Sequence, residues 1–315
     1  MNKSINIKNL LINLTPIIGL VLTIIVFAVL TDGRTIGHIN VKILLSNFLV
    51  TGIVAVGAVF AFGCGALDMS LGGSICLTVI SGALVAKGTG SILLMFVTII
   101  VVSMVIALLK GIITAFLDLP VFIVTIVIGS LLTAIGLVLL GSETTISLSR
   151  VLDFKDSTIL YASIIGGFYI LSLIIFNYTK IGKGIKLQGG NVKVAKQMGI
   201  NPKANKIIAF AMVGLAVALA SIVIILRTKT ASASTAAGVG TDIMVAVVLG
   251  GMPLSGGPRS KISAGLIGAA TITVLNNGLS VVGLSSDVVQ IVRGVIFLGV
   301  VFITSMTYRT KLLPR

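Results

Sequence analysis

Ten apolar runs, separated by short polar gaps, dominate the chain at about 10–30, 43–66, 71–86, 91–109, 119–140, 159–177, 207–226, 242–254, 263–279 and 288–306. A helix needs about 20 apolar residues to cross a hydrocarbon layer, and most of these runs are near that length. The run at 242–254 is too short to cross alone. It is expected to be a half-helix or to join a neighbour. The chain has 315 residues, 57% hydrophobic and 10% charged, with a mean hydropathy of +1.21. A soluble domain carries about 25% charged residues, so no water-soluble core would hide this much apolar surface. The expected fold is an all-α polytopic membrane helix bundle of about ten transmembrane helices, some short or broken. The whole of 1–315 is read as a single transmembrane domain.

The first run, preceded by MNKSINIKN, is longer than the apolar region of a signal peptide and no A-x-A site follows it, so it is read as an uncleaved first span. Gly52, Gly57, Gly63 and Gly65 fall in or near the second run, and Gly265, Gly268, Ala269 and Ala270 in the ninth. Small residues let membrane helices approach closely. Cys64 and Cys76 lie in or beside apolar runs and read as small buried hydrophobes rather than a disulfide or metal pair.

The net charge is +15. Its basic residues sit in gaps between apolar runs instead of on one face with interleaved aromatics, which argues against nucleic acid. It is the pattern of loops held on the cytoplasmic side. The stretch TKIGKGIKLQGGNVKVAKQMGINPKANK, residues 179–206, holds seven lysines and no acid. Placing it inside sets both termini inside by parity, beside Lys3, Lys8, Arg309, Lys311 and Arg315. The loop at 141–158, with Glu143, Asp153 and Asp156, then falls outside, as does Asp32, and Asp242 and Asp287 sit at outer helix ends. His38 is alone in an outer loop, and no metal site is expected.

Within the lysine stretch, Gly182, Gly184, Gly189 and Gly190 are expected to bend the chain. From Asn191 the pattern turns helical: Val192, Ala195, Met198 and Gly199 share a face, with Lys193, Lys196 and Gln197 turned away. Asn191 is a good N-cap, and Asn201-Pro202 should start the next helix. Two readings stand: a short amphipathic docking helix, or a solvated basic loop that only fixes topology.

Four motifs in order resemble one family. GKGIKLQGGNVKVAKQMGINPKANKIIAF is similar to the cytoplasmic loop of bacterial ABC importer permeases of the ribose type. That loop carries Gly-Gly-Asn, an Ala-containing short helix and Gly-Ile, here Gly189, Gly190, Asn191, Ala195, Gly199 and Ile200. LDMSLGGS at 67–74, VAVVLGGMPLSGG at 245–257 and LNNGLSVVGLSS at 275–286 resemble further motifs of the same family. The chain departs from the pattern at Lys193 and Gly240. The resemblance implies a type II ABC importer-like permease, a member of the simple-sugar and branched-chain amino acid superfamily. It implies a coupling loop over 178–206 whose Gly189, Gly190, Asn191, Val192, Lys193, Ala195, Met198 and Gly199 meet an ATPase. It also implies a second permease copy or paralogue, ABC ATPase subunits and an extracytoplasmic solute-binding protein, all in or on the bacterial cytoplasmic membrane and its lipids. No cofactor is expected in this chain; ATP and magnesium would be held by the partner subunit.

The LSGG in PLSGGPRSK, residues 253–261, also begins an ABC ATPase signature. No G-x-x-x-x-G-K followed by Ser or Thr accompanies it, so it reads as a Gly-rich turn and the chain is not expected to be an enzyme. No catalytic constellation appears. Asp68 is a helix cap or a transport residue; Asp118 reads as a cap. Asp68, Ser70, Gly250, Gly251, Asn276 and Asn277 are the candidates for pathway or helix-break positions. Asn276 and Asn277 must find partners inside a span. Arg293 is expected to snorkel or to pair with an acid such as Asp287. A standalone ion-coupled transporter is the alternative function; it would depend on Asp68, for which no partner is apparent.

Overall fold

A computed structural model describes residues 7–117, 119–152, 157–253 and 255–309. The all-α expectation holds. Twelve α-helices are described: α1 (Ile7–Leu30), α2 (His38–Gly63), α3 (Leu71–Thr89), α4 (Ile92–Phe116), α5 (Val121–Leu140), α6 (Thr158–Tyr178), α7 (Lys180–Gly190), α8 (Val192–Gln197), α9 (Pro202–Thr228), α10 (Val239–Leu249), α11 (Ile262–Val281) and α12 (Ser286–Arg309). Seven of them, α2, α3, α4, α5, α6, α9 and α11, are long and apolar enough to cross a membrane. At 24 residues each, α1 and α12 would span about 36 Å. Between Thr145–Ser147 (β1) and Thr230–Ser232 (β2) a small antiparallel pair forms, with Ile146 opposite Ala231, both buried.

The centre of the bundle is α2. From Leu49 to Gly63 only Thr51 is not buried, because α2 packs on α6, α9, α10 and α11. Small residues set the distances. A Cβ on Gly57 would lie 2.3 Å from the Ala216 Cβ of α9, and one on Gly265 of α11 would lie 2.9 Å from the Ala55 carbonyl oxygen. Long apolar side chains point outward on the perimeter: Val138, Ile159, Leu93 and Leu298 are exposed. In a bilayer that surface meets lipid tails, so it carries no penalty.

Two connections re-enter the bundle from opposite ends. After α2 the chain leaves helical geometry at Cys64 and runs through Ser70 before α3 begins. Met69 N–H donates to Thr125 Oγ1 (3.1 Å), and Thr125 Oγ1 donates to the Leu67 carbonyl (3.2 Å). From the other end, the chain after β2 descends past α3 to α10. Ideal Cβ atoms on Gly72 and Gly240 would lie 3.0 Å from the Ala236 and Met69 carbonyl oxygens respectively. The two re-entrant stretches therefore meet inside the bundle. The short run at 242–254 is indeed a half-helix, α10. It ends at Gly250 and at Gly251, whose φ of +88° suits only glycine.

The structure corrects several boundaries. The fourth run, read as 91–109, extends as α4 to Phe116; α9 starts at Pro202, as the Asn201-Pro202 pair implies, five residues ahead of its apolar run at 207. His38 opens α2 instead of lying in a loop. Asp118, Asp153, Lys155 and Asp156 lie outside the described residues.

Candidate functional site: a groove, its buried ion pair and the lysine-rich end

A groove of about 370 Å3 lies where the re-entrant stretches meet α5. Its wall is built mostly of small and hydroxyl residues, among them Gly72, Gly129, Ser130, Thr133 and Thr241, with Met69 and Ile126 beside them. Close backbone approach makes it: a Cβ on Gly73 would sit 2.2 Å from the Gly129 carbonyl oxygen, and one on Gly129 would sit 2.9 Å from Ser70 Cα. No charged side chain lines the groove among the described residues.

Behind that wall lies a fully buried polar cluster. Lys110 Nζ donates to Asp68 Oδ2 (2.9 Å), Ser70 Oγ (2.8 Å) and Ser74 Oγ (3.1 Å). The Lys110 and Asp68 side chains are 1% and 0% exposed. Asp68 Oδ1 accepts from Ser70 N–H (2.9 Å) and Ser70 O–H (2.6 Å). All three ammonium hydrogens thus have acceptors, which is what a buried charge demands. Asp68 is therefore neither unpartnered nor simply a cap. It ties the 64–70 stretch and the start of α3 to α4. Sequence reasoning missed Lys110, although a cation inside an apolar run is expensive and must find a partner; that was the available signal.

A second network lies at the end of the bundle away from the lysines. Asp242, in the first turn of α10, is ion-paired through Oδ1 with Arg293 Nη1 of α12, and its Oδ2 accepts from Asn276 Nδ2 of α11 (3.0 Å). Arg293 thus meets Asp242 rather than Asp287, and Asp242 stands at a helix end, in the first turn of α10. Folding α10 back into the bundle brings it there. Asn277 and Asn40 exchange two hydrogen bonds, at 2.7 and 3.0 Å, so both asparagines join helices. Gly250 and Gly251 let α10 pack closely: Cβ atoms there would meet the Ala264 carbonyl oxygen at 1.8 Å and Pro16 Cγ at 2.8 Å.

At the lysine-rich end the four glycines expected to bend the chain are part of a regular helix, α7, and serve packing instead. Gly184 faces Asn205. Gly189 is the tightest: a Cβ would stand 2.0 Å from the Gly63 carbonyl oxygen and 2.5 Å from the Gly257 nitrogen. Gly257 N–H donates to that same Gly63 carbonyl (3.0 Å), with φ of +99°. The LSGG stretch is thus a turn between α10 and α11 that clamps the end of α2 and the end of α7; Leu254 lies outside the described residues. Lys186 Nζ donates to Asn177 Oδ1 (2.8 Å) and lies 4.6 Å from the Phe176 ring centre; partial burial pulls its pKa below the ordinary lysine value.

The helix that follows, α8, begins as the sequence implied. Asn191 Oδ1 accepts from Lys193 N–H (2.9 Å) and Val194 N–H (3.2 Å), and Asn201 caps α9 with Pro202 at its first position. Gly199, with φ of +77°, closes α8 through its N–H to the Lys196 carbonyl (3.0 Å). One position departs from expectation. Ala195 is fully buried against the protein itself, so it cannot face a partner; Val192, Val194 and Met198 are exposed at 46%, 43% and 63%, beside Lys193 and Lys196. Replacing Asn191 with alanine is expected to cost the local helix about 1 kcal/mol, measurable as faster amide exchange at Lys193 and Val194.

Residues 40–301 match the profile of a family described as branched-chain amino acid transport system / permease component. The chain belongs to this family. Among its relatives, the ribose import permease RbsC of Haemophilus influenzae is 30% identical over 276 residues, 82% of this chain and 83% of that one. The ribose import permease RbsC of Escherichia coli is 30% identical over 84% of this chain and 85% of that one. A xylose transport system permease, XylH of Haemophilus influenzae, is 26% identical over 96% and 97%. No solved structure matches. The chain is thus a multi-pass membrane permease in which described polar groups gather at the groove, at the buried Lys110–Asp68 pair, in the network around Asp242 and at the basic end.

Proposed function

We propose that this chain is the membrane-spanning subunit of a bacterial ABC importer, passing a small solute, a simple sugar by analogy with its ribose and xylose relatives, from an extracytoplasmic binding protein toward the cytoplasm. Separate ATPase subunits supply the energy, and a second permease copy or a paralogue completes the path. The lysine-rich end faces the cytoplasm in this reading.

The observation that carries it is the connection from α8 to the groove. The exposed apolar patch of Val192, Val194 and Met198 is the surface an ATPase would press. Through Asn191 it is joined to Gly189, which is wedged between Gly63 and Gly257. From Gly63 the chain runs through 64–70 to Met69; from Gly257 it leads back through α10 to Thr241. Both residues line the groove. A push on α8 would thereby reach both walls, the kind of packed two-state element that allosteric shifts require.

Met198→Asp and Val192→Asp should insert normally and weaken docking roughly 30-fold, the size of one interface hot spot of about 2 kcal/mol. Stimulation of the partner's ATP hydrolysis by solute-loaded binding protein should fall with them in proteoliposomes. Unchanged stimulation in both variants overturns the coupling role. The groove offers hydroxyls and backbone rather than charge, in keeping with a neutral polyhydroxyl cargo. The ion-coupled alternative would depend on Asp68, whose carboxylate is ion-paired with Lys110.

A further inference from the structure

A second cavity, of about 520 Å3, opens on the far side of α10 from the groove, between α2, α9 and α11. It shares no lining residue with the groove. Its volume lies in the range of small-molecule sites, about 300–1,000 Å3. Asn47, Thr51, Arg227, Asp242, Thr273 and Asn276 form much of its polar wall.

Two of these groups are unfinished. Thr273 is 4% exposed and its Oγ1 has no hydrogen-bond partner; Asn276 Oδ1 is likewise buried and unpartnered. They stand three residues apart on α11 and so share a face. Thr273 lies eight residues before the end of α11 at Val281, about 12 Å deep by helical rise. Buried polar atoms are normally satisfied, so a cavity that keeps an orphaned hydroxyl and an orphaned amide oxygen is built for a hydrogen-bonding occupant. The charges of the wall are already engaged. Asp242 holds Arg293 and Asn276, and Arg227 Nη1 donates to Asn47 Oδ1 (3.2 Å). A cationic ligand would find no free carboxylate there, and the two orphaned groups, a hydroxyl and an amide oxygen, are neutral and suit the hydroxyls of a neutral ligand.

We propose that this cavity binds a small neutral polyhydroxyl compound within a single permease chain, separately from the groove. Its hydroxyls donate to Asn276 Oδ1 and exchange hydrogen bonds with Thr273 Oγ1. The choice of polyol rests on the importer reading; the existence of the site does not. Thr241 lines the groove and its neighbour Asp242 lines this cavity, so an occupant here braces α10 and bears on the groove wall.

The test uses the full chain in lipid nanodiscs, with Thr273→Cys labelled by a small polar methanethiosulfonate reagent. The parent protein, whose Cys64 and Cys76 are buried, sets the background. Ribose and xylitol are the probes. Labelling above background that slows at least about fivefold with either polyol is expected, with Asn276→Leu raising the protecting concentration up to about tenfold, the worth of one hydrogen bond. Ser130→Cys in the groove reports separately whether the same polyol enters there. Protection of Ser130→Cys alone overturns the second site while leaving the importer reading intact. Labelling that no polyol slows means a water-filled crevice and overturns the proposal; so does protection by phosphate or glycine but not by polyols. Should Thr273→Cys fail to fold, Ser280→Cys at the rim carries the same readings.

Discussion

Replacing Lys110 with methionine is expected to destabilise the protein by about 3–5 kcal/mol, the cost of leaving a buried charge without its partner. The reason is local. Asp68 would keep only the hydrogen bonds from Ser70, while Ser70 and Ser74 would each lose the ammonium they accept from. Changing both partners, Lys110→Met with Asp68→Leu, removes the charge altogether and should recover a large part of the loss, because an apolar pair of similar volume often replaces a buried ion pair at little cost. Thermal unfolding of the purified chain in detergent measures both. If the single variant is no less stable than the double, the ion pair does not hold the re-entrant stretch. Salt should change neither result much, since a buried pair is poorly screened. Transport should fall in the single variant as well, because Met69, one residue from the cluster, lines the groove.

The second large effect is expected at the crossing of the half-helix with α11. In Gly268→Ala the new methyl would lie 1.7 Å from the Ala246 carbonyl oxygen and 3.0 Å from the Gly250 nitrogen. These are backbone atoms and cannot rotate away. Overpacking of this sort costs about 1–3 kcal/mol, and here the upper end is expected because the whole of α10 must move. Displacing α10 shifts Thr241 and Asp242 together, so solute uptake should drop more steeply than protein level. Measuring membrane abundance alongside uptake separates the two. Normal uptake by Gly268→Ala would mean that the close crossing does not matter to the path.

The lysine-rich stretch shows where sequence reading succeeds and where it stops. Asn191 and Asn201 are legible as caps because capping is settled within three residues of chain. The facing of Ala195 is not, because α8 is only six residues long and its one buried position is chosen by what it rests on. The glycines of α7 were misread for the same reason. Glycine permits a bend, but it also permits contact, and only the neighbouring Gly63 and Gly257 decide between them. Lys110 lies just past the run read as 91–109, inside α4, and only its burial beside Asp68 shows it to be half of a pair.

From the amino-acid order alone came a polytopic bundle with a basic end, a run near residue 245 too short to cross alone, and a family resemblance. Transfer free energies and capping act residue by residue along the chain, so they leave a mark in it. Which acid meets Lys110 and which meets Arg293 was decided only in three dimensions. Those partners stand 42 and 51 residues away, and they come together because two broken connections fold back into the bundle. Such returns depend on close backbone approach at Gly73, Gly240 and Gly268, which no local pattern encodes.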